Sequence, residues 1–177
     1  MMKFLKRYRF FLFTMVIIMV LFFVNKQIGI KAIKLTSFQF KEMGLVIPPI
    51  FILLGLLDVW VPRETMVKFM GEKSGALGVF LSFIIGSAAA GPLYGAFPVA
   101  AVFMKKGVKL SNVLVFIGAW STTKIPMLLF EVSSLGLRFT LTRLLIDIPG
   151  ILIIAFVLSH LITEEEQKKI YKKAGTL

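Results

Sequence analysis

The sequence has no cysteine and a single histidine, His160, in 177 residues. A disulfide framework and a thiolate metal site are therefore excluded, and one imidazole alone is a poor start for a metal centre. Acidic residues are also scarce: nine Asp and Glu stand against 21 Lys and Arg, for a formal net charge of +12. Only 17% of the chain is charged and 58% is hydrophobic, whereas a soluble domain is about 25% charged. There is no GxxxxGK[ST] phosphate loop, no HExxH and no GxSxG, so neither nucleotide hydrolysis nor a familiar hydrolase arrangement is written here. We expect no enzyme, no cofactor and no metal. The basic excess does not point to nucleic acid, because Lys and Arg flank apolar runs, where they set orientation and meet anionic headgroups of the lipid bilayer.

What is present is apolar runs of membrane length. A spanning helix needs about 20 mainly apolar residues, and the chain reads as an all-α integral membrane protein with about five hydrophobic helical segments. The first covers 9–25 and follows a basic start (Lys3, Lys6, Arg7, Arg9). It lacks a small-x-small cleavage site and is expected to be retained. A basic interfacial linker is expected over 26–42 and a second span over 43–61, with Asp58 and Trp60 near the interface. Pro62 and Glu64 suit the first turn of a helix, so a short amphipathic helix is expected over 63–70. Further spans are expected over 111–130 and 139–161, and a solvated helical tail over 163–177. The whole, 1–177, reads as one transmembrane unit without a second domain.

The segment 75–104 is different. Its 30 residues carry no charge, yet GSAAAGPLYGAFP, 86–98, lies in its middle. As one straight helix it would run about 45 Å, too long for a hydrocarbon core of about 30 Å without strong tilt. Either a long broken helix crosses, or two arms form a re-entrant hairpin that returns to its starting side. If the segment crosses, Lys and Arg divide nine to eleven between the two sides; if it returns, they divide fourteen to six. The positive-inside rule favours the hairpin. Irregular backbone at membrane depth is tolerated where protein or a cavity satisfies it, and such breaks mark transporter sites.

The residues that could carry chemistry gather around two places. In the break, Gly91, Gly95 and Ala96 permit close backbone approach, Pro92 and Pro98 each remove a donor, and Tyr94 offers a hydroxyl. Small-residue helix packing would use GSAAAG equally well. In the next span, Lys124 lies deep in apolar sequence, where ionisable groups are costly and mark function, although snorkelling to an interface would also account for it. Trp120, Lys124 and Glu131 are spaced to share a helical face, which suggests a Lys–Glu pair, with Thr123 and Pro126 marking an opened helix. Arg143 and Asp147 are one turn apart, either as an intrahelical ion pair or with one of them reaching another helix.

The stretches LLDVWVPRETMVKFMGEKSGALG, GSAAAGPLYGAFPVAAVFMKKGVKLSNVLVFIGAW and TTKIPMLLFE carry a resemblance. Residues 51–160 resemble the bacterial predicted-permease family that includes organoarsenical efflux permeases. Full-length members are similar to two such units, so this chain looks like a half-size member. The resemblance implies a secondary permease in the bacterial cytoplasmic membrane with a pocket near Gly91, Pro92 and Pro98, and it extends to Gly107 and Asn112. Lacking cysteine, the chain departs from thiol-based recognition of trivalent arsenic. The expected function is movement of a small polar or anionic solute, with two copies forming a homodimer around the site. A non-transporting assembly or scaffold protein, or a channel, remains the alternative.

Overall fold

The computed structural model describes residues 2–89 and 91–175, with the side chains of all of them except 2–7, 54, 57 and 58. Ala90 of the break, the side chain of Asp58 and the last two residues of the expected tail lie outside the described residues. All regular structure described is helical. The chain divides into two compact units, Met1–Pro48 and Pro49–Leu177.

The first unit holds α1 (Met2–Val24) and most of α2 (Lys26–Trp60). Asn25 separates the two helices and starts the second, its side-chain oxygen accepting from the backbone N–H groups of Gln27 and Ile28 at 3.1 and 3.2 Å, as an N-cap does. The sequence suggests a linker over 26–42 followed by a span over 43–61. The structure runs one 35-residue helix through both ranges. The reason is local: from Lys26 to Lys41 only Gly29 is a poor helix former. Pro48 and Pro49 do not end the helix; the boundary between the units falls between them.

The second unit continues with α3 (Arg63–Met70), α4 (Gly75–Ala88), a 3-10 turn (Leu93–Gly95), α5 (Ala96–Lys105), α6 (Leu110–Thr122), α7 (Ile125–Leu135), α8 (Leu137–Leu161) and α9 (Glu164–Ala174). Two stretches are long and apolar enough to cross a membrane: α6 with α7, Leu110–Leu135, and α8, Leu137–Leu161. The pair α3–α4, bent by 110°, makes a third if it is one span. Tyr8–Val24 and Leu93–Lys105 are shorter apolar helices, and among the described residues the expected count of about five hydrophobic segments is not confirmed. The uncharged segment is divided into helices of 14 and 10 residues, each about 20 Å or less.

The packing is that of a membrane protein, apolar outside and partly polar inside. Leu145, Ile146, Ile153, Ile154 and Phe156 of α8 are exposed, while Ser82, Ser87, Asn112, Thr123 and Glu131 are buried. Helices α4 and α6 run parallel and side by side: Ser74 meets Asn112 at their starts and Ser87 meets Thr123 at their ends. Small residues make this contact close. A Cβ on Gly86 would lie 2.5 Å from the Phe116 carbonyl oxygen and 2.8 Å from the Ala119 methyl. Helix α8 runs antiparallel to α6, with Ile151 against Gly118 and Arg143 against Thr122.

Segment 75–104 returns to the end where it starts. After α4 and the break, α5 brings the chain back, and the Lys109 N–H donates to the Met70 carbonyl at 2.9 Å. The reversal after α5 is a glycine-capped helix end. Gly107 has φ +83° and the Val108 N–H reaches the Phe103 carbonyl at 3.0 Å, the Schellman arrangement. Helix α9, capped by a reciprocal Thr163–Glu166 box, docks at this same end through the Tyr171 hydroxyl, which donates to the Val108 carbonyl at 2.6 Å.

Candidate functional site: two facing helix breaks

Two chain breaks face each other at the far ends of α4 and α6, about 20 Å along from the helix starts. The first runs from the end of α4 to the 3-10 turn and contains Gly91 (φ +104°), a backbone that only glycine adopts without strain, followed by Pro92 in extended conformation. The second is only two residues long, Thr123 and Lys124, between α6 and α7.

Side chains at and beside the second break take carbonyl oxygens of the first. The Lys124 ammonium donates to the Gly91 carbonyl at 2.7 Å and the Trp120 indole N–H to the Pro92 carbonyl at 3.2 Å. The Ser87 and Thr123 hydroxyls bond to each other at 2.8 Å. Gly95 is buried because Ile50 and the Trp120 ring lie where a Cβ would point. The first turns of α5 and α7 both begin here, bringing two positive dipole ends to one place.

On the outer side of this knot lies an ion cluster. The Arg143 Nε donates to the Glu131 carboxylate at 2.8 Å, and its Nη1 donates to Asp147 at 2.6 Å and to the Thr122 carbonyl at 2.8 Å. Arg143 thus makes both of the pairings that its spacing allows, one within α8 and one to another helix. The expected Lys124–Glu131 pair is not formed. The helix ends at Thr122 and restarts at Ile125, so Trp120 and Lys124 turn toward the first break while Glu131 turns toward α8.

With this arrangement in view, comparison with known proteins becomes informative. The model of the predicted-permease family matches residues 30–176. The chain belongs to that family. No curated protein and no solved structure matches it. Family and apolar helices together make it a multi-pass membrane protein of the transporter kind, and the match extends on both sides of residues 51–160.

Not every residue singled out in the permease sequence is at the breaks. Asn112 is buried at the other end of α6, donating to the Met70 carbonyl at 2.8 Å and to the Ser74 hydroxyl at 3.1 Å; it clasps the starts of α4 and α6 together. Pro98 and Pro126 do not interrupt helices. They stand in the first turns of α5 and α7, where a missing N–H costs nothing. Tyr94 is exposed beside the break. Sequence reasoning passed over Ser87, which bonds Thr123, and the backbone carbonyl of Thr122; neither carries a sequence signal, since both owe their role to a neighbour distant in sequence.

A cavity of the permease lies elsewhere. A space of about 430 Å³ opens at the clasp end, between Val79, Val115, Leu152 and Phe156, with Glu72, Lys109, His160 and Gln167 at its rim. The His160 Nδ1 lies 2.7 Å from the Phe156 carbonyl; because a carbonyl only accepts, this nitrogen carries the proton. Lys109 pairs with Glu72 at 3.3 Å across the exposed rim. Such a pair contributes little to stability.

Proposed function

We propose that the chain is one subunit of a secondary permease of the bacterial cytoplasmic membrane, moving a small polar or anionic solute past the paired breaks. The observation that carries this reading is the Lys124 ammonium on the Gly91 carbonyl, a positive charge joining two opened helices midway along the candidate span Leu110–Leu135. Broken helices meeting near mid-membrane are where transporters bind their solutes. Two helix N-termini and one ammonium favour negative charge on the solute.

Two or three candidate crossing segments stand among the described residues; a pathway needs more wall than these offer, and a two-fold homodimer supplies it. In this reading the chain carries no catalysis of its own. The end bearing α3, the 105–109 turn and α9 is the more basic one and faces the cytoplasm under the positive-inside rule.

The experiment compares Lys124→Ala with Asn112→Ala in proteoliposomes, screening small organic and inorganic anions for flux. Lys124→Ala removes a charged hydrogen bond of about 1.5–3 kcal/mol, and it should abolish flux while the protein remains folded and dimeric. Asn112→Ala should lower stability with flux per folded protein unchanged. Flux retained in Lys124→Ala, or a partner complex lost with no flux in the wild type, overturns the reading.

A further inference from the structure

The Glu131–Arg143–Asp147 cluster holds two carboxylates on one guanidinium, and this imbalance has a use. Glu131 is buried, with 8% of its side chain exposed; Arg143 and Asp147 are 19% and 23% exposed. The other groups packed against α8 do not restore the balance. Helix α6 carries no charged residue, α7 carries only Glu131, and Lys124 between them donates to the Gly91 carbonyl. Arg138 on α8 is exposed. The cluster thus retains one surplus negative charge within spans where such charge is costly and is found in proton pathways.

The guanidinium is also incompletely used. Its Nη2 is buried and has no hydrogen-bond partner, although a buried donor left unmet is destabilising. Glu131 binds Nε through one oxygen. The usual two-oxygen grip of a carboxylate on a guanidinium takes two N–H groups at once. Arg143 is therefore held between two partial grips, one carboxylate on Nε and the other on Nη1. Either can let go without leaving the cation unpaired.

We infer that this cluster is the permease's proton-coupling site, and that Glu131, the more buried carboxyl, takes the proton. A hydronium ion gives its proton to a Glu131 carboxylate oxygen: one O–H bond of the hydronium breaks, the carboxyl O–H forms, a water molecule is left, and the cluster becomes neutral. Arg143 then keeps Asp147. Because Arg143 also holds the Thr122 carbonyl at the second break, a change in its grip on Glu131 reaches the helix end that carries Lys124. The inference rests on the permease reading, and its test does not require flux.

Infrared difference spectra of the protein in lipid vesicles, taken as pH is lowered, read protonated carboxyl groups directly. The expected result is a carboxyl absorption that exchanges slowly in heavy water, is lost in Glu131→Gln, is weakened in Asp147→Asn, which removes the surplus charge, and is kept in a Glu164→Gln, Glu165→Gln, Glu166→Gln variant. If Glu131→Gln does not fold, Glu131→Asp should shift the absorption instead of removing it. An absorption that is absent from the wild type, unchanged in both Glu131 variants, or lost only in Asp147→Asn overturns the assignment. A wild type that shows the absorption but moves no solute leaves this site intact and sinks the permease reading alone.

Discussion

Helices α4 and α6 run in parallel, end at the same level and open there, but only one of the two chains turns back. After α4 the opening spans several residues, includes Gly91 at φ +104° and Pro92, and reverses the chain into α5. After α6 the opening is Thr123 and Lys124 alone, and α7 carries the chain onward. The lesson is that an interruption is not a reversal. Reversal takes a left-handed residue and enough loop to turn. Without these the helix is merely offset, and its freed carbonyl at Thr122 is taken by Arg143 from a neighbouring helix.

The comparison breaks most completely on sidedness. Single cysteines placed at Lys73, Lys105 and Lys173 should all react from one side of the membrane, and one at Arg138 from the other. The native sequence has no cysteine, so labelling has no background. If Lys73 and Lys105 react from opposite sides, the α4–α5 segment crosses and the contrast with α6–α7 is lost.

Next in size is the seam that makes the helices parallel. Gly86→Leu forces a side chain into the Phe116 carbonyl and Ala119. The backbone there cannot give way, so the expected loss is about 3 kcal/mol, read as a fall in melting temperature and in monodisperse protein. Gly44→Leu, where nothing lies within 4 Å, is the control and should melt as the wild type does.

Smaller still is the bond between the two openings. Trp120→Phe keeps the ring and loses the N–H to Pro92, which should cost about 1 kcal/mol and loosen the first opening. Faster hydrogen exchange at Leu93–Gly95, with no change at Leu128, would confine the effect to the reversing chain. Equal change at both positions would mean that the two openings move as one.

The smallest effect concerns α9. Burial holds the Tyr171 hydroxyl above its ordinary value; the Gln167 hydrogen bond opposes this and the Glu72 charge adds to it. A folded-state value above the unfolded one means that α9 docking is full below about pH 10 and is lost as pH rises through the folded value. Protease sensitivity of the tail should increase over that range. Tyr171→Phe, which cannot ionise, should remove this pH dependence while weakening docking slightly at neutral pH. At the other extreme of pH, Thr163 backbone and side-chain bonds hold the exposed Glu166 carboxyl below its usual value. The cap of α9 is therefore lost as pH falls through that lowered value.

Much of this was legible in the sequence where the cause is local. Arg63–Met70 follows from Pro62, Glu64 and Gly71, and the turn at Lys106–Gly107 follows from a glycine between a helix end and Val108. The absence of charge over 75–104, with glycine and proline in its middle, marks the first opening. Which apolar segments cross, and that Lys26–Trp60 is one continuous helix, was not legible there, because apolar content does not say whether a stretch crosses or where a helix made of good formers stops.

By itself, then, the sequence determined the membrane setting, the helical class, the place of the first opening and the net basic character, because hydropathy, backbone freedom and charge are properties of residues and their near neighbours. Only the tertiary structure decided that Lys124 meets Gly91 and not Glu131, that Asn112 clasps the starts of α4 and α6, and that Arg143 links Glu131, Asp147 and Thr122. Those partners are set by which helix ends are brought together when α4 and α6 pack in parallel. A freed carbonyl or a buried charge accepts whichever side chain packing delivers to it.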